Sequence, residues 1–190
     1  AHRDERVKDY DRWDVPHPIP YQGSKRNLAP VILSYFPPRV SRLVEPFAGS
    51  AAVSLAASYR RVADRFWIND AHRPIIDLWR EIIDRPEQLS AKYRDLWQAQ
   101  LQREREYYDE VRAQFNRTHR AEFFLYLLAR CVKAAIRYNS DGEFNNSPDN
   151  RRKGAHPSTM QQRILGASAL LQGRTELSAL DYREILTHCG

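Results

Sequence analysis

The stretch Val40–Tyr59, VSRLVEPFAGSAAVSLAASY, changes character in its middle. Val40–Glu45 reads as a short strand. Pro46–Ser50 (PFAGS) reads as a tight turn, and Ala51–Tyr59 is small and apolar enough for a closely packed helix. The pattern then repeats: Asp64–Asn69 (DRFWIN) is a second strand, and Ile75–Ile83 has helical spacing. Strand–helix–strand–helix predicts an α/β fold with parallel strands joined by crossovers. Open α/β sheets bind ligands at the carboxyl ends of their strands, where the Gly49 turn falls.

Before this unit, residues 1–19 are charged and carry two prolines, which predicts an irregular N-terminal arm. Pro20–Lys25 (PYQGSK) is a glycine-containing loop, and Leu28–Tyr35 is apolar at helical spacing until Pro37–Pro38 stop it. After the unit, Pro86–Thr118 is polar and helical, with Leu89, Tyr93, Leu96 and Trp97 on one face and Tyr107, Tyr108, Val111 and Phe115 following. Glu122–Ile136 is the strongest helical pattern. A helix of that length puts Arg130, Lys133 and Arg137 on one face. Arg137–Lys153 is turn-rich, helical spacing returns over Ser158–Leu171, Thr175–Leu180 is a third strand, and Tyr182–His188 is a short helix. The expected division is an arm (1–19), an α/β part (20–85), a helical region (86–157) and a return to the α/β part (158–190).

The 190 residues are 42% hydrophobic and 28% charged, which fits a globular chain with a real core. No apolar run approaches the roughly 18 residues of a membrane helix, and the first thirty residues lack a signal-peptide pattern. Two cysteines exclude a disulfide framework or a zinc site and read as cytoplasmic, with Cys131 a buried thiol. Six scattered histidines show no metal-ligand spacing. Trp67, Trp79 and Trp97 fit core positions. A net charge of +6 suits a nucleic-acid partner.

Gly49 lets the backbone approach a ligand, and the helix beyond it offers unpaired N–H groups. Asp70 follows 21 residues later, a separation at which an acid can accept both ribose hydroxyls. GxGxxG and GK[ST] are both absent. On spacing alone, a nucleoside site and a plain structural turn stay open, Asp70 also reads as a helix cap, and Lys25 as a solvated charge.

PYQGSK, VEPFAGSAAV, IND and RYNSDGEFN occur in that order over roughly residues 19–185. Together they resemble the Dam-like, D12-class DNA adenine-N6 methyltransferases. The resemblance implies a partial Rossmann-like methyltransferase sheet with a helical DNA-recognition insertion, S-adenosylmethionine as cofactor and double-stranded DNA as partner. It implies that Tyr21, Gly23 and Lys25 lie at the cofactor, and that Glu45, Phe47 and Gly49 line its methionine side. Asp70 takes the ribose, and Asp181 lies near the adenine. It places Arg137, Asn139 and Asn145 in the DNA-reading region with Arg130 and Lys133. Arg151, Arg152 and Lys153 are phosphate contacts or a solvated basic loop. Lys133 and Ala134 depart from the Asn-Gly of Dam proper, so target sequence does not carry over. The family's DPPY-type catalytic tetrapeptide does not occur in the chain. No catalytic residue is therefore expected here. The expectation is one subunit of a split enzyme whose second subunit carries DPPY. A truncated enzyme, a noncatalytic DNA-binding descendant and a small Rossmann-type enzyme with another nucleoside cofactor are the alternatives.

Overall fold

The computed structural model describes residues 14–188. Residues 1–13 of the expected arm, with His2, and Cys189 lie outside them. Three strands, β1 (Val40–Glu45), β2 (Ala63–Asn69) and β3 (Thr175–Ser178), form a parallel sheet in the order β1-β2-β3. Val40 pairs with Ala63 and Glu45 with Ile68, while Phe66 pairs with Thr175 and Asn69 with Ser178. β2 is central, and its Phe66, Trp67, Ile68 and Asn69 are all buried in succession, as a strand covered on both faces requires. Among the described residues, no strand pairs with the outer edge of β1.

Among the described residues, eight α-helices accompany the sheet: α1 (Ala29–Leu33), α2 (Ala52–Tyr59), α3 (Arg73–Asp84), α4 (Pro86–Ala99), α5 (Glu104–Thr118), α6 (Ala121–Arg130), α7 (Pro157–Leu171) and α8 (Tyr182–Thr187). The crossover helix α2 packs on β1 and β2, and α7 packs on α2, α3 and α4. Serine hydroxyls fasten α7 to its neighbours: Ser168 Oγ donates to the Ile83 carbonyl at 2.8 Å, and Ser58 Oγ of α2 donates to the Leu170 carbonyl at 2.7 Å. α6 is buried nearly all round, and Phe124 stacks on Phe115 of α5 with ring centroids 5.0 Å apart. One hydrophobic cluster runs from Ile68 and Trp79 through Phe124 to Ile164, so the helices after residue 85 share a core with the sheet.

Residues 14–19 are irregular, as expected of the arm, yet Val15 and Ile19 are buried in that same core. Burial, helped by the Arg26 and Arg163 guanidiniums, pushes His17 from 6.5 down to about 4. The folded protein thus refuses a proton that the unfolded chain accepts. Stability is expected to fall as pH drops from about 6.5 to about 4, with no further loss from this group below that. Urea unfolding of wild type and His17→Gln at neutral and acidic pH checks this, the variant losing less.

The long helix expected over Glu122–Ile136 is corrected. α6 ends at Arg130, Cys131 is extended, and Lys133 and Ala134 are left-handed at φ 58° and 49°. Partners remote in sequence break it. The Val132 N–H donates to the Ser147 carbonyl at 3.0 Å, and Asn146 Nδ2 donates to the Val132 and Ala135 carbonyls at 3.3 and 2.9 Å. Those backbone groups are satisfied by the following loop instead of by a continuing helix. Arg130, Lys133 and Arg137 therefore do not share a helical face.

Candidate cofactor and DNA-recognition site

Each strand ends in a polar group. Glu45 closes β1, and its carboxylate accepts from the Ser54 N–H at 2.9 Å and the Ser54 hydroxyl at 2.6 Å, holding the first turn of α2. Burial raises its pKa, and the Ser54 and Val53 hydrogen bonds pull the other way. Asn69 closes β2 and is fully buried. Its Nδ2 donates to the Pro46 and Leu180 carbonyls, each at 3.0 Å. Its Oδ1 accepts from the Ser178 hydroxyl at 2.7 Å and the Leu180 N–H at 2.9 Å. One side chain thus binds together the ends of all three strands. No role is expected for Asn69 from the IND motif alone; an amide at a strand end beside two turns is the signal that the sequence offers.

Asp70 is half-buried and bridges two backbones. Its Oδ2 accepts from the Gly49 N–H and its Oδ1 from the His72 N–H, both at 2.9 Å. Gly49 has φ +48°, and a Cβ there would sit 2.8 Å from the Tyr21 ring. The Gly49 carbonyl accepts from Trp79 Nε1 at 2.9 Å. The glycine is needed for its backbone angle and because Tyr21 lies on it. Burial and the Asp70 charge raise the Tyr21 pKa. Ser24 and Ser50 hydroxyls meet at 2.7 Å, so the PYQGSK loop is fastened to the PFAGS turn. Gly23 and Lys25 are exposed, with the Lys25 ammonium 3.3 Å from the Gly23 carbonyl. Phe47 is 69% exposed and lies on Tyr182, ring centroids 5.2 Å apart. Asp181 is exposed and caps α8 in a capping box with Glu184.

The DNA-reading candidates separate by what their side chains already hold. Arg130, expected among them, is corrected. It is 2% exposed, and its guanidinium donates to the Arg152 carbonyl and, at 3.1 Å, to the Glu104 carbonyl. It braces the loop from within. Asn139 is spent on its own turn: Oδ1 accepts from the Asp141 and Glu143 N–H groups at 3.0 and 2.8 Å, and Nδ2 donates to Glu143. Lys133, Arg137 and Asn145 are exposed. Arg151 and Arg152 stand 3.6 and 3.7 Å from Asp149, and Lys153 pairs with Glu104 at 2.8 Å.

Of the three tryptophans expected in the core, Trp67 and Trp79 are buried and Trp97 is half-buried. Cys131 is buried, which pushes its thiol up to about 11. Among the described residues, no cluster of histidines, cysteines and acids has the makings of a metal site, and no helix is long and apolar enough to cross a membrane.

The segments that converge here, from the Tyr21 loop through the Asp70 turn to α8, fall inside one family match. Residues 21–188 match the D12 class N6 adenine-specific DNA methyltransferases. The chain belongs to this family. The D12-class chain is 28% identical to a DNA N-6-adenine-methyltransferase of Escherichia phage P1 over 175 residues, 90% of its own length and 22% of the relative's. It is 34% identical to the retron Ec67 DNA adenine methylase of Escherichia coli over 114 residues, 57% of its length and 38% of the relative's. It is 28% identical to the type II methyltransferase M1.LlaDCHI of Lactococcus lactis subsp. cremoris over 133 residues, 66% of its length and 44% of the relative's. The D12-class chain thus spans less than half the length of these curated relatives.

Proposed function

We propose that this chain is the cofactor-binding and DNA-recognition part of a site-specific DNA adenine-N6 methyltransferase, and that a second polypeptide supplies the DPPY-type tetrapeptide. The observation that carries the first half is the meeting of Asp70, Gly49, Tyr21, Ser24 and Ser50 at the carboxyl end of a parallel sheet. Those residues fit S-adenosylmethionine. Asp70 offers a half-buried carboxylate for a ribose diol. Lys25 and the Ser24–Ser50 pair offer donors for a carboxylate, and the Phe47–Tyr182 pair offers an aromatic wall near Asp181. When bound, that cofactor would supply an electrophilic methyl group on a sulfonium for in-line displacement by N6 of a flipped adenine, leaving S-adenosylhomocysteine, N6-methyladenine and a proton.

The chain's own residues bind and orient. Asp70 holds the cofactor's ribose and the Gly49 turn lines its methionine side, while Lys133, Arg137 and Asn145 face duplex DNA, with Arg151, Arg152 and Lys153 on phosphates. Arg137 is the base reader in this account, its forked donors matching guanine in the major groove. Arg137→Ala is expected to cost about 1–3 kcal/mol of discrimination at one base pair and to relax specificity there. Fluorescence-anisotropy titration against single-substitution duplexes measures it.

Two facts support a completing segment that these 190 residues do not contain, and the native mass decides whether a second polypeptide supplies it. The 190 residues hold no DPPY-type tetrapeptide. The outer edge of β1 is unpaired among the described residues, and a free edge invites another strand. The setting would be cytoplasmic, where DNA and cofactor meet. The test is the native mass of the endogenous protein, with sequencing of whatever accompanies it. A stable second chain bearing DPPY is the expected result. The same peptides found only within one longer chain would replace the split enzyme by a single-chain one. A lone native chain would favour a noncatalytic DNA-binding protein.

A further inference from the structure

His72 touches the candidate ribose acid and the DNA-reading loop at once. Its backbone N–H donates to Asp70 Oδ1 at 2.9 Å, while its ring Nε2 is 2.6 Å from the Tyr138 hydroxyl. The other ring nitrogen, Nδ1, is buried with no partner, so Tyr138 is the imidazole's one hydrogen bond among the described residues. Breaking it would leave both ring nitrogens unpaired beside the Phe124 ring, whose centroid lies 5.6 Å away. The made state is therefore distinct from the broken one.

Tyr138 adjoins Arg137 in an extended segment that pairs with Phe144. Neighbouring side chains in such a segment point to opposite sides. Tyr138 turns inward onto His72 and Phe144, and Arg137 is exposed. Whatever fixes Arg137 on a base also fixes Tyr138. A second tie runs parallel to the first: the Gln22 N–H, in the PYQGSK loop, donates to the Ala134 carbonyl at 3.0 Å. Ala134 and Lys133 are the two left-handed residues that break the helix before the loop. Left-handed residues carrying a Cβ persist only where their surroundings hold them. The loop is thus fastened to the cofactor end at two points, one of them a strained turn.

We infer that Tyr138 and His72 are positioning residues through which the DNA-reading loop sets the placement of Asp70, so that DNA and S-adenosylmethionine bind with positive coupling. This rests on the proposed function, because it takes Asp70 as the ribose acid and Arg137 as a base reader. His72 carries the coupling with its backbone on one side and its ring on the other.

The test is a binding cycle on the native assembly. S-adenosylhomocysteine is the cofactor probe, and the DNA probe is a duplex selected by the native protein from a random-sequence pool. In wild type, saturating duplex is expected to tighten S-adenosylhomocysteine binding roughly tenfold. Tyr138→Phe keeps the ring on Phe144 and removes only the hydroxyl. It is expected to leave each separate affinity close to wild type and bring the coupling factor near one. A merely structural role would weaken both affinities and leave their coupling intact. His72→Ala retains the backbone N–H to Asp70 and is expected to lose the coupling as well, which keeps the test open should Tyr138→Phe fold poorly. Undiminished coupling in both variants overturns the inference. Independent binding of the two probes by wild type also overturns it while leaving the proposed function standing. Failure of wild type to bind either probe removes the proposed function and this inference with it.

Discussion

Asp70→Ala is expected to lower the affinity of the native assembly for S-adenosylhomocysteine by about 10- to 100-fold. Hydrogen bonds to a charged partner contribute roughly 1.5–3 kcal/mol, and a tenfold change in affinity is about 1.4 kcal/mol. The substitution also frees the Gly49 and His72 N–H groups that the carboxylate holds. The turn then loses the bond that sets its N–H direction, so the loss exceeds that of the ribose contact alone. Asp70→Asn keeps an oxygen acceptor without the charge and should fall between alanine and wild type. DNA affinity measured without cofactor should be unchanged in both variants. Isothermal calorimetry with S-adenosylhomocysteine measures the first effect and duplex titration the second. An unaltered cofactor affinity in Asp70→Ala would remove this residue from the site.

The second large effect belongs to Asn69. Its fully buried amide makes four hydrogen bonds, to Pro46, Ser178 and, twice, to Leu180. A neutral hydrogen bond contributes about 1 kcal/mol net, and a buried group left unpaired costs more. Asn69→Ala is expected to lower stability by about 3–4 kcal/mol, a large share of the 5–15 kcal/mol typical of a domain. Asn69→Asp preserves the shape but replaces two donors by an acceptor facing the Pro46 and Leu180 carbonyls. It should be at least as damaging at neutral pH. Urea unfolding gives the values. A loss under about 1 kcal/mol for the alanine variant would mean that water or backbone movement satisfies the three strand ends without it.

The strands were legible because their signals are local. Val40–Glu45 is a strand with the bounds that its sequence suggested, β2 gained only Ala63, and β3 ends at Ser178, two residues short of the expected Leu180, whose N–H and carbonyl are taken by the Asn69 side chain. PFAGS marked the turn because Gly49 needs a left-handed backbone that the flanking strand and helix do not. The end of α6 was not legible. Residues 131–136 hold neither glycine nor proline, and their apolar spacing continues the helix on paper. Asn146 and Ser147 decide otherwise by taking the backbone groups of that segment. No periodicity reports a partner that far along the chain. The same blindness explains Arg130, whose basic character suggested DNA while its guanidinium is enclosed by two carbonyls. Asn139 and Asn145 sit in one turn-rich stretch and are alike in composition. Geometry alone separates the one that closes the turn from the one that is exposed.

The measurement that tests the central claim most directly is a calorimetric titration of the native assembly with S-adenosylhomocysteine, repeated in competition with NAD. Saturable binding at one site, weakened by Asp70→Ala and indifferent to NAD, is the predicted result. Absence of saturable binding, or displacement by NAD, would contradict the assignment of the Asp70–Gly49 turn to a methyltransferase cofactor.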